Sequence, residues 1–395
     1  MKMDKRKPQH WWLLLGFLLQ GALGLVARRF RKRETGLVLL YGHKLNGNLL
    51  AICRYIREHP ESGLRCVFLS MDAAYCQELE AQGFEAQWAA GTGCARLLAG
   101  AGALVSDHGL HALQPFLAGY QRAGLHFVDV WHGIPFKGFD AEDFRVQQRY
   151  DECWVASESQ SALWSGKFGF DPDIVHATGY ARTDQLVTPE ISNPEAKRRL
   201  GLDPATCGKT LLFAPTWAQD HKGRSFYPFG CTEGEFLGAL SAFAGRHGAT
   251  ILLRSHMNSG DVAASVYPHV IALPGTRYPD TEEILLASDL LVCDWSSIAF
   301  DFLLLDRPTI FLDVQPPFRK GFSLGPEYRF GSLVKNQQAL LQALETWVTR
   351  PDEYWQAQSD SHRSIKTAVY GDKADGHAAR RGVARLRDLL RITDG

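Results

Sequence analysis

Twice along this chain, short β-rich runs alternate with stretches of helical character, and a polar, proline-bearing lapse separates the two series. Strands joined through helices cannot pair as hairpins. Each connection must cross over, which gives a parallel sheet covered by helices. The first series predicts strands over Leu37–Tyr41, Arg65–Ser70, Ala103–Ser106, His126–Trp131 and Glu152–Ala156, with helices over Asn48–Glu58 and Asp72–Gln82. The second predicts strands over Thr210–Ala214, Thr250–Arg254, Asp289–Cys293 and Thr309–Leu312, and helices over Glu233–Arg246, Thr281–Ala287 and Ser297–Leu305. Between them, Gly179 to Leu202 holds Thr188-Pro189 and Asn193-Pro194 and marks the boundary. The expectation is an α/β chain with two Rossmann-like domains, residues 36–187 and 188–395, the second carrying a helical C-terminal tail. Residues 1–35 form a separate segment.

Length and composition fit that division. The chain has 395 residues, 45% hydrophobic and 22% charged, which is enough for two cores. Its net charge is zero, yet residues 1–33 carry Lys2, Lys5, Arg6, Lys7, Arg28, Arg29, Arg31, Lys32 and Arg33 against Asp4 alone. No nucleic-acid partner is expected. The 8 cysteines form no C-x-x-C pair and no metal-ligand spacing with the 14 histidines, so free thiols in a reducing compartment and no metal are expected.

Trp11 to Ala27 is an uncharged, mostly apolar run between two basic clusters. Its length is borderline for crossing a bilayer. A spanning anchor and an in-plane helix both fit, because tryptophans settle at headgroup level and cations bind anionic lipid. A cleaved signal fits poorly, since Arg28 to Arg33 would follow the cleavage point. The basic cluster after the run places the body on the cytoplasmic face of the membrane.

Ligands of open parallel sheets bind outside the carboxyl ends of the strands, and the chemical motifs of this chain lie there. In Val128-Asp129-Val130-Trp131-His132-Gly133-Ile134-Pro135-Phe136-Lys137, a strand stops on a histidine and turns at a glycine. That histidine can take a proton near neutral pH, or it can simply be satisfied by a backbone carbonyl. Asp294-Trp295-Ser296-Ser297 follows a strand and opens a helix, which suits a phosphate or a plain serine cap. Asp301 would repel a phosphate and suits a hydroxyl. Leu253-Arg254-Ser255-His256 offers a guanidinium and an imidazole, fit for phosphoryl oxygens or a surface ion pair. Pro215-Thr216-Trp217 ends another strand and suits a nucleotide or core packing. His108 also ends a strand, with a structural role favoured. The absence of a Walker A loop, a strand-following G-x-G-x-x-G, H-E-x-x-H and G-x-S-x-G in a meaningful place argues against P-loop kinase, dinucleotide oxidoreductase and serine hydrolase chemistry.

These motifs together resemble the CDP-glycerol glycerophosphotransferase family, which builds poly(glycerol phosphate) chains such as teichoic acids and some capsules. The likeness runs from about Tyr41 to Lys335 and lies in motif order: Trp131 to Lys137, Gly179-Tyr180-Ala181-Arg182-Thr183-Asp184, Ala214 to Trp217, Arg254 to His256, and Asp294 to Asp301. The resemblance implies two facing Rossmann-like domains of GT-B-like kind, the first for the acceptor and the second for the CDP donor. It implies that His132 takes a proton from an acceptor hydroxyl attacking the β-phosphorus, and that His256 and Arg254 stabilise the pyrophosphate as CMP leaves. Ser296 and Ser297 would hold phosphate oxygens and Asp301 a hydroxyl. Arg182, Pro215, Thr216 and the run Gly133, Ile134, Pro135, Phe136 and Lys137 would complete the donor pocket. The implied partners are CDP-glycerol, a lipid-linked or polysaccharide acceptor and the membrane surface, with no further cofactor.

The sequence departs from the family pattern at Ala181, where proline is usual, at Ala218, where arginine is common, and at Arg254-Ser255-His256-Met257, where the family has Arg-Leu-His-Pro. These positions border the donor pocket, so another CDP-linked polyol such as CDP-ribitol stays open. So do a GT-B glycosyltransferase using a nucleotide sugar and a non-catalytic nucleotide-binding membrane scaffold. With little ahead of its first Rossmann unit, the chain looks more like single-addition primases than processive polymerases.

Overall fold

A computed structural model describes residues 8–216, 227–254 and 266–392. The chain divides into two compact units, neither of them one continuous stretch. Unit 1 comprises Met1–His132, Asp140–Arg182 and His377–Gly395; unit 2 comprises Gly133–Phe139 and Thr183–Gly376.

Unit 1 begins with helix α1 (Pro8–Ala27), strand β1 (Glu34–Tyr41), α2 (Gly47–Glu58), β2 (Arg65–Ser70), α3 (Ala73–Ala81) and β3 (Ala86–Trp88). It continues with α4 (Gly93–Gly100), β4 (Ala101–Ser106), α5 (Leu117–Arg122), β5 (His126–Asp129), β6 (Glu152–Val155), α6 (Glu158–Phe168) and β7 (Val175–Ala177). The seven strands form one sheet in the order β3-β2-β1-β4-β5-β6-β7, with every pairing parallel. Strand side chains alternate between faces, and β1 shows it. Val38 and Leu40 enter a core with α2, whereas Leu37, Leu39 and Tyr41 enter a second core with α1 and α4.

Unit 2 holds α7 (Asp184–Val187), α8 (Asn193–Arg199), β8 (Thr210–Phe213), α9 (Glu233–His247), β9 (Thr250–Leu253), β10 (Val270–Ala272) and α10 (Thr281–Ala287). Then come β11 (Leu290–Cys293), α11 (Ile298–Leu303), β12 (Thr309–Leu312), β13 (Ser332–Val334), α12 (Gln337–Thr349) and α13 (Pro351–Tyr370). Its parallel sheet runs β10-β9-β8-β11-β12-β13. Strands β8, β9, β11 and β12 are buried throughout, which is why they read as unbroken apolar runs and not as alternation. A Thr232–Glu235 capping box starts α9 and left-handed Gly248 ends it.

Beyond the boundary itself, which falls at Arg182/Thr183, the expected division at 187/188, with the tail in the second domain, differs from this in two places. Helix α14 (Ala378–Leu390) returns to unit 1, where Ala379, Val383, Leu386 and Leu390 pack into the core that also holds Leu49, Ile52 and Trp154. Glycine at 382 permits it, because a Cβ there would stand 2.6 Å from the Trp154 ring. Arg385 pairs with the buried carboxylate of Glu152 at 2.5 Å, and Arg381 donates to Thr178 O at 2.6 Å. The second difference is the run Gly133–Phe139, which belongs to unit 2.

Helix α1 is a part of unit 1. Phe17 and Gln20 are buried, and a Cβ on Gly24 would lie 2.6 Å from the Tyr120 hydroxyl and 2.9 Å from Leu98, so only glycine allows that approach. Just after the helix, the buried Arg28 guanidinium donates to the carbonyls of Ala123, Leu98, Ala99, Ala101 and Gly124 at 2.6–3.2 Å. Desolvation, followed by the like charge of Arg33, lowers its pKa to about 10. One of the basic residues read as a lipid contact is thus a clamp on the unit's own backbone.

Candidate functional site

In unit 1 the chain winds outward in both directions from the pair β1 and β4, so the topological switch point lies there. The carboxyl ends of β1, β4 and the next strand β5 deliver His43, Asp107-His108 and His132 to one edge of the sheet.

Strand β5 ends at Asp129, two residues before the expected Trp131. The chain then takes two uncommon backbone conformations around His132, φ 31° at Trp131 and φ 148° at Gly133. A tryptophan at positive φ is strained and persists only where its surroundings over-determine it. Three consecutive carbonyls supply that constraint. Asn48 Nδ2 donates to Val130 O at 2.8 Å and to Trp131 O at 2.7 Å, while Arg182 Nη1 donates to His132 O at 2.6 Å. The Arg182 amide in turn donates to Asn48 Oδ1 at 3.1 Å. Arg182, expected in a donor pocket, is buried and serves here as a brace for the histidine's own backbone.

His132 Nδ1 lies 3.1 Å from Asp107 O. A carbonyl only accepts, so Nδ1 carries the hydrogen and Nε2 keeps the lone pair. The carbonyl-satisfied histidine and the proton acceptor, alternatives at the level of sequence, are one and the same arrangement. The ring is exposed and stacks on His108, centroids 4.7 Å apart and planes 8° apart. Desolvation of the charged form, then the neighbouring His108, hold the His132 pKa below the usual imidazole range, with Asp107 opposing. His108 shows the reverse balance. Burial lowers its pKa, but the charge of Asp107 and a 2.7 Å hydrogen bond to its Oδ1 outweigh that, so the net shift is upward. Asp129, at the end of β5, is fully buried, and burial followed by Asp107 pushes its pKa up to about 8.

The rest of that motif does something other than expected. Ile134, Pro135 and Phe136 are buried in unit 2, with the Phe136 ring 4.5 Å from Phe300 and 5.9 Å from Trp295. Pro135 O and Phe136 O accept from Leu324 and Ser323 amides, and Gly138 N donates to Gly321 O at 2.8 Å. A Cβ on Gly138 would stand 2.3 Å from Lys320 O, which explains that glycine. Lys137 is half-buried, its Nζ 5.3 Å over the Phe139 ring. The conformation of Gly133 serves the turn. This segment is a packing strap, and its apolar members are core residues of unit 2.

In unit 2 the switch point lies between β8 and β11. Thr216, after β8, is tied to Asp294, after β11: its amide donates at 2.7 Å and its hydroxyl at 2.5 Å to the same Oδ1. Pro215 precedes it, half-buried. Ser297 caps α11 without a side-chain cap bond, so the plain N-cap alternative is not what the serine does. Ser296 and Ser297 are both half-buried at this edge. The helix they open has 6 residues and ends at Leu303, short of the expected Leu305, so little aligned dipole stands behind them. Asp301 is buried on α11. Arg254 follows β9, and its Nη1 donates to Leu273 O at 3.0 Å and Tyr278 O at 2.7 Å, its Nη2 to Thr281 Oγ1 at 3.3 Å. It pins the loop ahead of α10, so the surface ion pair, one of its two alternatives, is not what these bonds form. His256, with Trp217, Ala218 and Met257, lies outside the described residues. Sequence reasoning missed Asn48, whose buried amide inside a helix carried no local signal, and it favoured a structural role for His108.

Two parallel Rossmann-like units with candidate side chains at their switch points define a GT-B-like fold. A family profile for CDP-glycerol:poly(glycerophosphate) glycerophosphotransferases matches residues 25–387. The chain belongs to that family, and the fold and enzyme class read from its motifs stand with it. A teichoic acid glycerol-phosphate transferase of Staphylococcus aureus strain NCTC 8325 / PS 47 is 28% identical over 291 residues, 66% of this chain and 71% of that protein. The teichoic acid ribitol-phosphate polymerase TarK of the same strain is 26% identical over 57% of this chain, which spans 46% of the polymerase. Among solved structures, a variant of the wall teichoic acid polymerase TagF soaked with CDPG superposes with a TM-score of 0.73 at 18% identity, covering 95% of this chain and 94% of that one. Among the described residues no group of three or more His, Cys, Asp or Glu side chains is disposed to hold a metal ion.

Proposed function

We propose that this protein moves glycerol phosphate from CDP-glycerol to a hydroxyl of a lipid-linked or polysaccharide acceptor, releasing CMP, as in teichoic-acid-like or capsule polymer synthesis. The observation that carries the reading is His132: an exposed imidazole at a strand end, its Nδ1 fixed by Asp107 O, its Nε2 lone pair available and its neutral form favoured. Those are the requirements of a general base for an attacking alcohol. Phosphoryl transfer asks the protein mainly for positioning and charge stabilisation. In this reading Ser296, Ser297 and Thr216 hold donor oxygens, Asp301 meets a hydroxyl, and Lys137, Arg254 and His256 offset charge on the phosphates as CMP departs. Arg182 contributes by fixing the His132 backbone. Purified protein given labelled CDP-glycerol, CDP-ribitol and UDP-sugars with acceptor analogues tests it. CMP and an acceptor heavier by one glycerol phosphate are expected; release of UDP from a UDP-sugar would make it a glycosyltransferase instead.

The membrane half of the reading rests on the outer face of α1. Trp12 is 73% exposed and Phe30, just beyond the helix, 86%, with Leu15, Leu19, Leu23 and Val26 exposed between them. Arg29, Arg31, Lys32 and Arg33 are exposed beside that stripe. Because the opposite face packs on unit 1, the helix suits lying in the plane of a lipid surface, apolar stripe inward and cations at anionic headgroups. On this reading the body stands on the cytoplasmic face. Sedimentation with vesicles containing anionic phosphatidylglycerol is expected for the wild type and lost when Trp12, Leu19 and Leu23 are changed together to serine. Unchanged sedimentation would exclude this face as the contact.

A further inference from the structure

The edge of unit 1 that carries His132 gathers three more imidazoles. His43 follows β1, and His108 and His111 follow β4, so they flank the switch point from its two sides. Their rings touch in series, His43 to His108 at 4.4 Å and His43 to His111 at 5.7 Å, and the series ends in the stack of His108 on His132. Lys44 stands beside His43, its Nζ 3.6 Å over the Tyr75 ring.

This cluster is not ordinary core. The His108 side chain is 30% exposed, and His111 is exposed, its backbone at φ 48°. Nor is the cluster a metal cage, since among the described residues no group of three or more His, Cys, Asp or Glu side chains is disposed to hold a metal ion. Bonding on the inner side is already assigned. His108 Nδ1 faces Asp107, and His111 Nδ1 lies 2.9 Å from the Tyr41 hydroxyl. The Nε2 positions of both rings are what remains for a ligand.

We propose that His43, Lys44, His108 and His111 form a subsite for a phosphodiester group of the acceptor, adjacent to the hydroxyl that His132 deprotonates. The inference rests on the transferase reading above, since it places the acceptor at His132. A diester carries one negative charge and two unesterified oxygens, and several N–H donors with a cation among them match it through charge-assisted hydrogen bonds. Lys44 beside His43 supplies that cation, the Asp107 carboxylate raises the pKa of His108 toward its charged form, and His43 and His111, both shifted downward by desolvation first and His108 next, serve as neutral donors. Such a subsite would let the enzyme tell a phosphate-bearing acceptor from a bare polyol.

Calorimetric titration of the full-length protein with the diester glycerophosphoglycerol, and with glycerol as the neutral control, tests this without turnover. Wild-type protein is expected to bind the diester more tightly than glycerol, with affinity retained in saturating CMP. His108→Gln is expected to weaken diester binding about tenfold, the size of one charge-assisted hydrogen bond. His111→Gln, at an exposed ring, gives an independent reading should His108→Gln fail to fold, and is expected to weaken binding in the same direction. Diester binding no tighter than glycerol, unchanged binding in both variants, or competitive displacement by CMP would each overturn the proposal, the last by assigning the cluster to the donor's phosphate. If the protein released no CMP from CDP-glycerol yet lost diester binding in these variants, the anion subsite would stand and the transferase reading would fall.

Discussion

Replacing His132 by alanine is expected to lower kcat for CMP release about 10²- to 10⁴-fold, the range over which a positioned general base acts, with CDP-glycerol affinity within about threefold of wild type. The split follows from what the ring touches. Its Nδ1 bond and its stack both involve unit 1 residues after β4, Asp107 and His108, so truncation removes the base and leaves the unit 2 residues assigned to the donor as they were. The acid limb of the kcat/KM profile should fall below pH 6.5, the ordinary imidazole value, because the folded-state pKa of His132 is depressed. The same depression makes neutral His132 a contributor to stability that is complete above pH 6.5 and lost as pH falls through the folded-state pKa. An alanine variant with wild-type turnover, or an acid limb above pH 6.5, would remove His132 from the role of base.

Ending the chain at Gly376 is expected to prevent unit 1 from folding stably. Helix α14 buries Val383, Leu386 and Leu390 against the α2 side of the sheet. Each such side chain is worth about 1.5–3 kcal/mol when withdrawn from water, so their joint loss matches a large share of the roughly 5–15 kcal/mol that holds a typical domain folded. The deletion also strands Glu152, a buried carboxylate whose partner Arg385 lies on that helix. Thermal unfolding followed by circular dichroism should show the loss of a cooperative transition, and Leu386→Ala alone should cost about 2–5 kcal/mol. A shortened chain that melts like the full one would mean that α14 is dispensable to the core.

How much of this could be read from the residues depended on burial. Strands such as Arg65–Ser70 and Thr309–Leu312, with their apolar runs, coincide with the observed elements residue for residue. The edge strands β3, β7, β10 and β13 went unread, because each has only 3 residues, too short a run for a periodicity to stand out. Position at a strand end was legible for His132, Thr216 and Ser296, since strand and turn signals are local. What the neighbours do was not. That Ile134 and Phe136 are core, that Arg182 and Asn48 clamp one turn from residues far apart in sequence, and that α14 closes the first unit all depend on tertiary pairing that no local window holds.

The interleaving of the units bears on how the protein comes off the ribosome. The chain passes between them at His132/Gly133, Phe139/Asp140, Arg182/Thr183 and Gly376/His377, so unit 1 opens the sequence and also closes it. Domains usually fold in the order in which they are made. Here the first sheet must wait, the face it shares with α2 only partly covered, until the whole of the second unit has been synthesised and α14 emerges. The nascent chain therefore carries an exposed hydrophobic surface through most of translation, the condition in which a holding chaperone has the most to do.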